Sequence, residues 1–268
     1  MNTAQRTSTR RQHSRRAFVA MALIVIGLLG VQIARGGTIE VDTFHTGGFF
    51  GLDAMGMPTA TPDNDMSFQN YFMGHTTVSG FTTPERRAFF AFDLSGVLAD
   101  GEEIVSMSLV LENVFGGVMA NFTDGFEIAK FTSTSSTYDM IADPDGAMVP
   151  AIEIFDTFGT GDFYGDIVFD ADGPMPGPVE IAMSPDAIMN AMDSIGADSP
   201  FMITGMMETY DPAPGIGLEF LFGLTDVVVD FPTGFPVPKL VIETAPVPAP
   251  SGLMVLTGAG LIASKRRR

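Results

Sequence analysis

The run Glu103-Ile104-Val105-Ser106-Met107-Ser108-Leu109-Val110-Leu111-Glu112-Asn113 decides the fold. Val105, Met107, Leu109 and Leu111 recur at every second residue, with Ser106 and Ser108 between them. That period belongs to a strand with one face in a core and the other in water. Asp100-Gly101, just before it, supplies turn chemistry. Farther along, Phe163, Ile167 and Phe169 keep the same period. Gly, Pro, Asp and Asn punctuate the chain between ten candidate strands: residues 38–44, 66–73, 87–94, 103–113, 125–132, 163–170, 179–183, 201–207, 218–222 and 239–243. This spacing predicts an all-β antiparallel β-sandwich. One short helix is expected, over residues 184–195. Ser184 caps it, Pro185 fits its first turn, Asp186 suits the dipole, and Ile188, Met192 and Ile195 share a side. It is placed over one opening of the sandwich.

The charge is distributed unevenly. Of 14 Lys and Arg, six lie in the first 35 residues and four at the extreme C-terminus, while all 32 Asp and Glu follow residue 39. The body keeps Arg86, Arg87, Lys130 and Lys239, so four cations face 32 carboxylates and leave a net charge of −28. Such a surface stays soluble, repels nucleic acid and anionic lipid, and suits a saline setting where repulsion is screened. The absence of cysteine excludes thiol catalysis, disulfides and Cys-ligated metals. The core must come from burial alone, and a body of this length can supply one.

The N-terminus has the layout of an export signal. Arg6, Arg10, Arg11, Arg15 and Arg16 precede an apolar run over residues 17–34, and no acidic residue appears before Glu40. Ala34 and Gly36 are the small residues of a cleavage site, which puts the signal peptide at residues 1–37 and the mature start near 35–38. Ser14-Arg15-Arg16-Ala17-Phe18-Val19 also resembles the twin-arginine export motif. Both that route and general secretion fit this leader.

The C-terminus reads as an address. Residues 245–250 are Pro-rich and make a semi-rigid stalk. Val247, Pro248, Ala249, Pro250 and Ser251 are followed by an apolar run over 252–263 and by Lys265, Arg266, Arg267 and Arg268. A helix over residues 252–264 is about 20 Å long at about 1.5 Å per residue, short of a hydrocarbon core of about 30 Å. The basic cluster anchors it from the cytoplasmic side. In its order of elements this tail resembles the PEP-CTERM sorting signal, with Ala249 standing where that family usually has Glu. The resemblance covers about the last 22 residues. It implies processing by an exosortase, a membrane-embedded protease, and delivery to the cell envelope or extracellular matrix through the inner membrane. The tail, residues 245–268, is then a sorting segment and the body is residues 38–244.

A second resemblance lies in the body. Arg86-Arg87-Ala88-Phe89-Phe90-Ala91-Phe92-Asp93-Leu94-Ser95, followed by Gly101-Glu102-Glu103-Ile104-Val105-Ser106-Met107-Ser108-Leu109, is similar to a strand pair of secreted jelly-roll-like domains, including bodies found ahead of PEP-CTERM tails. Phe163-Tyr164-Gly165-Asp166 and Glu219-Phe220-Leu221-Phe222-Gly223 occur in the order those bodies show. It implies a jelly-roll-like sandwich between an N-terminal signal helix and a C-terminal membrane or sorting helix, and says little of function.

Catalysis finds no support in the motifs. The body has two histidines, His45 and His75, each expected in a turn, and lacks His-x-x-x-His, Gly-x-Ser-x-Gly, a Walker loop and a dinucleotide fingerprint. Glu102/Glu103 and Asp124/Glu127 are pairs that so acidic a chain produces by chance, and no glycosidase pair is nominated. The expectation is a non-enzymatic protein without a resident cofactor. The candidate Ca²⁺ ligands are Asp63 and Asp65, Asp143 and Asp145, and Asp170 and Asp172, hard oxygens in turn-rich loops that lack the distal Glu of an EF-hand. The competing reading is a carbohydrate-binding or calcium-dependent adhesive module of an extracellular polysaccharide matrix. A platform of Tyr71, Tyr138, Tyr164 and Tyr210 would serve it, in a chain with no Trp.

Overall fold

A computed structural model describes residues 36–51, 71–78, 81–111, 118–119, 126–170, 178–209, 218–223 and 236–247. Thirteen strands among them form two antiparallel sheets. The smaller contains β1 (Thr38–Asp42), β6 (Glu102–Leu111), β10 (Val179–Ala182) and β13 (Lys239–Pro246), in the order β1-β13-β6-β10. The larger contains β2 (His45–Phe50), β3 (Tyr71–Val78), β4 (Phe81–Thr82), β5 (Arg86–Phe92), β7 (Val118–Met119), β8 (Phe126–Thr132), β9 (Phe163–Asp170), β11 (Phe201–Met207) and β12 (Leu218–Gly223). Its main path runs β7-β12-β3-β5-β11-β8-β9, with β2 paired to β5 and β4 to β3. One apolar cluster joins Leu109, Leu111, Ile181, Leu240 and Ile242 of the small sheet to Phe90, Phe92, Phe131, Phe201 and Ile203 of the large one. The architecture is sandwich-like.

The predicted strand over 38–44 is present as β1 and ends at Asp42, and a further strand, β2, follows it. β1 pairs with β13 in the small sheet, whereas β2, starting at His45, pairs with β5 in the large one. Thr43 makes the crossing: its N–H donates to the carbonyl of Pro238, which precedes β13, and its hydroxyl to that of Ala91 on β5. β2 was missed because Gly47 and Gly48 read as a turn. A Cβ on Gly48 would sit 3.0 Å from the carbonyl oxygen of Arg87, a tight contact that makes Gly the residue best suited to the close approach of β2 to β5.

Two bulges alter the expected faces. β6 pairs Ser106 with Glu243 but Ile104 with Thr244, leaving Val105 as the extra residue. Ile104 and Met107 are therefore buried and Val105 is 50% exposed, against the expectation that Val105 shares the core face. In β9, Gly165 pairs with Phe131 and Phe163 with Thr132, so Tyr164 is extra. Tyr164 turns into the core and Phe163 out of it.

Three helices are additional to the one expected: α1 (Tyr138–Ala142), α2 (Pro144–Ala147) and α3 (Ala151–Thr157). Ile141, Ile154, Phe155 and Phe158 from this segment form a second core with Phe49 of β2 and Phe89 of β5. Because alternate residues of a strand face opposite ways, Ala88, Phe90 and Phe92 fill the inner core while Phe89 fills the outer one. Arg87 pins the cover. Its Nη1 donates to the carbonyls of Phe158 (2.7 Å) and Phe155 (3.3 Å), its guanidinium lies over the Phe155 ring, and its Nε meets Glu85 at 2.8 Å. A cation at the C-terminal end of α3 supplies a donor to the Phe158 carbonyl and a second one to the Phe155 carbonyl, which also accepts the Phe158 N–H, and it opposes the helix dipole. Thr157 adds a second tie, bonded to Thr134 (2.7 Å) and Ser136 (3.0 Å).

The expected helix is α4 (Pro185–Ala197), capped by Ser184, whose hydroxyl accepts the Ala187 N–H. It touches β6 of one sheet and β9 and β11 of the other, with Ala187 and Ala191 fully buried and Ile188, Met192 and Ile195 partly so. It ends at Asp198, in the left-handed conformation at φ 52°.

The described body begins and ends side by side. The Gly37 N–H donates to the Thr244 hydroxyl, and the Thr244 N–H to the Gly37 carbonyl (2.9 Å), beside the first pair of β1 and β13. Val247, 48% exposed, still donates its N–H to Gly101. Among the described residues no helix is long and apolar enough to cross a membrane. Residues 1–35 and 248–268, including the leader, Pro248, Ala249, Pro250, Ser251 and the basic end, lie outside the described residues.

Candidate functional site

Antiparallel pairing gathers four chain segments at one end of the large sheet. Phe92, the last residue of β5, pairs with Phe201, the first of β11, and Thr132 at the end of β8 pairs with Thr204 and with Phe163 at the start of β9. Residues 93–95, 133–138, 162 and 194–200 therefore meet, together with the link between β1 and β2. They line a surface groove with two adjacent, open parts of about 310 and 440 Å³, both bordered by Ser194, Ser199 and Pro200.

The first part of the groove has an apolar side, Phe44 and Ile195, and a polar side, Asp93, Ser95 and Asp198. Phe44 is 40% exposed and its ring meets Tyr138 edge-on at 5.2 Å, linking the two parts. In the second part, Asn190 Nδ2 donates to Tyr164 Oη (3.0 Å) and to Asp162 Oδ2 (3.2 Å). These bonds fix the amide and leave its carbonyl oxygen as an acceptor. Tyr164 reaches Asn190 because the β9 bulge turns it inward, where it stacks on Phe201. Hydroxyls of Ser133, Thr134, Ser136 and Thr137 line the same part.

Burial pushes the Tyr164 phenol up against the opposing hydrogen bond from Asn190, and burial with the charge of Asp139 pushes Tyr138 up, so both phenols are neutral. Asp93 is held low by the Ser95 hydroxyl and N–H, the latter 2.9 Å from Oδ1. Behind the groove, His45 is 2% exposed, bonds through Nδ1 to Tyr138 Oη at 3.1 Å, and packs edge-on against Phe89. Burial pushes its pKa down, so the neutral ring is favoured. Its Nε2 has no hydrogen-bond partner among the described residues.

The sequence-derived candidates are placed as follows. His45 and His75 are buried residues of β2 and β3, a correction to the expectation of turns, whose reason is that each strand continues through a Gly-containing stretch. Tyr71 and Tyr164 are core residues at 1% and 2% exposure, so the expected tyrosine platform does not form; Tyr138 alone of the three described is half-buried at the groove. Asp143 caps α2, accepting the Gly146 N–H at 2.9 Å, and Asp145 follows in its first turn. Asp170 closes β9, while Asp63, Asp65 and Asp172 lie outside the described residues. Among the described residues no group of three or more His, Asp or Glu side chains is placed to hold a metal ion. Phe44, Asp162 and Asn190 were not anticipated, since their meeting depends on pairings and a bulge that leave no local signal.

No protein-family model matches the chain, and no curated protein matches it.

Proposed function

We propose that the protein is exported by its basic, apolar leader and handed by its C-terminal tail to an exosortase-type membrane protease, leaving a non-enzymatic, acidic, jelly-roll-like body in the cell envelope or extracellular matrix. The observation that carries this reading is the order of elements at the C-terminus: Val247, Pro248, Ala249, Pro250 and Ser251, then the apolar run, then Lys265, Arg266, Arg267 and Arg268. Pro248 and Pro250 hold the backbone extended for the protease, the apolar run sets its depth, and the basic end stops translocation. The geometry of the body supports it. Gly37 and Thr244 are bonded to each other, so the first and last described segments of the body lie together. The bonds of Gly37 also favour a mature terminus at or before that residue.

Intact mass of the protein from envelope and culture medium tests this. Loss of the leader together with the residues after about Pro250 is expected; a mature chain that still ends at Arg268 would make the tail an anchor and overturn the sorting step. Deleting Lys265, Arg266, Arg267 and Arg268 is expected to release unprocessed protein, and unchanged retention counts against their role as a stop.

A further inference from the structure

The groove at the end of the large sheet has the chemistry of a ligand site. Both parts fall in the size range of small-molecule pockets. Among the described residues lining it there is no Lys, Arg or His, while Asp93, Asp162 and Asp198 give it a negative field. An anionic ligand is repelled. A metal ion is not favoured either, because no set of three ligating side chains converges among the described residues. What remains is a neutral molecule rich in hydroxyl donors, for which carboxylates and the fixed Asn190 carbonyl are acceptors, while the neutral Tyr138 phenol and the Ser and Thr hydroxyls serve in either sense. Phe44 adds an exposed aromatic ring, and the C–H face of a sugar ring packs well on such a surface. The two parts lie side by side along the surface, both bordered by Ser194, Ser199 and Pro200, an arrangement that suits a chain of linked rings better than a single ring.

From this we infer that the groove binds a neutral oligosaccharide chain, with Phe44 and Tyr138 as its apolar wall and Asn190, oriented by Asp162 and Tyr164, as its principal polar contact. The site does not depend on the sorting tail, and a failure of either leaves the other standing.

Native affinity electrophoresis of the full-length protein tests it, since so acidic a chain migrates strongly. The gels contain dextran, mannan, laminarin or, as the uronate control, alginate. Retardation by at least one neutral polysaccharide and none by alginate is expected. Phe44→Ala and Asn190→Ala should each weaken the retardation about tenfold, which is ~1.4 kcal/mol. Ser199→Arg, at an exposed position in the shared wall, should block it with the melting temperature unchanged, so loss of folding cannot imitate loss of binding. No retardation by any neutral polymer, equal retardation by alginate, or binding untouched by all three variants would overturn the assignment.

Discussion

The two faces of the large sheet are buried by different means. The inner face packs on a second sheet of antiparallel strands; the outer face packs on α1, α2 and α3, helices of 5, 4 and 7 residues. Isolated helices so short do not hold themselves together. Their stability comes from Phe49, Phe89, Ile141, Ile154 and Phe158 beneath them, from the Arg87 clamp and from the Thr157 hydroxyl ties. The inner core is thus a property of the sheets, whereas the outer core exists only while its cover is tied down, and subglobal opening should begin there.

The largest expected effect breaks the inner side. Phe90→Ala removes a fully buried ring between the sheets and should cost about 4 kcal/mol in urea unfolding. Arg87→Ala breaks the outer side: it takes the Arg87 donor from the Phe158 carbonyl, leaves the Phe155 carbonyl with only the Phe158 N–H, and leaves Glu85 without this cation, for about 3 kcal/mol. Hydrogen exchange should then rise over residues 138–158 well before it rises over β6; a uniform rise along the chain would mean that the two cores open together. Arg87→Lys keeps the charge but not the two-pronged geometry, and is expected to fall between. Ser184→Ala removes the α4 cap at about 1 kcal/mol and, since α4 belongs to the inner core, should leave exchange in the 138–158 cover unchanged.

The smallest effect is a pH dependence on the outer side. Burial lowers the His45 pKa, so below about pH 6.5 the unfolded chain takes up a proton that the folded chain resists. Stability is fully present above that pH and declines as pH falls toward the folded value. Protonating carboxylates also relieves repulsion in the acidic body, so the readout is the difference in slope of melting temperature against pH between the wild type and His45→Gln. The wild type should lose more between pH 6.5 and 5; identical slopes would show that His45 gains its proton without cost.

The same contrast explains what could be read in the sequence. β6 and α4 were legible because their signals are local: a period of two in one, a cap and an apolar side in the other. The run Ala88-Phe89-Phe90-Ala91-Phe92 was recognisable as a strand, but its unbroken apolarity is what burial on both faces requires, and it says nothing of what covers the second face. The cover itself, with Pro144, Pro150 and helices too short to show a period, reads as loop. Val105 and Phe163 were placed on the wrong face because a bulge shifts the phase without any mark in the pattern. Nothing pointed to the groove, since Phe44, Asp93, Tyr138, Asp162 and Asn190 are brought together by strand order and by the bulge at Tyr164.

The four cations of the body have a consequence outside the fold. Arg86 lies over Phe50 at 3.9 Å, Arg87 clamps α3, Lys130 meets Glu208 at 3.6 Å and Lys239 meets Glu40 at 2.8 Å. Each sits in a strand, and the other ten Lys and Arg lie in the leader and the tail. A protease of trypsin type, which cuts after these residues and needs an extended, accessible segment, finds each of the four sites of residues 36–247 inside a strand. Digestion by a protease of that kind is expected to leave residues 36–247 as one long-lived fragment.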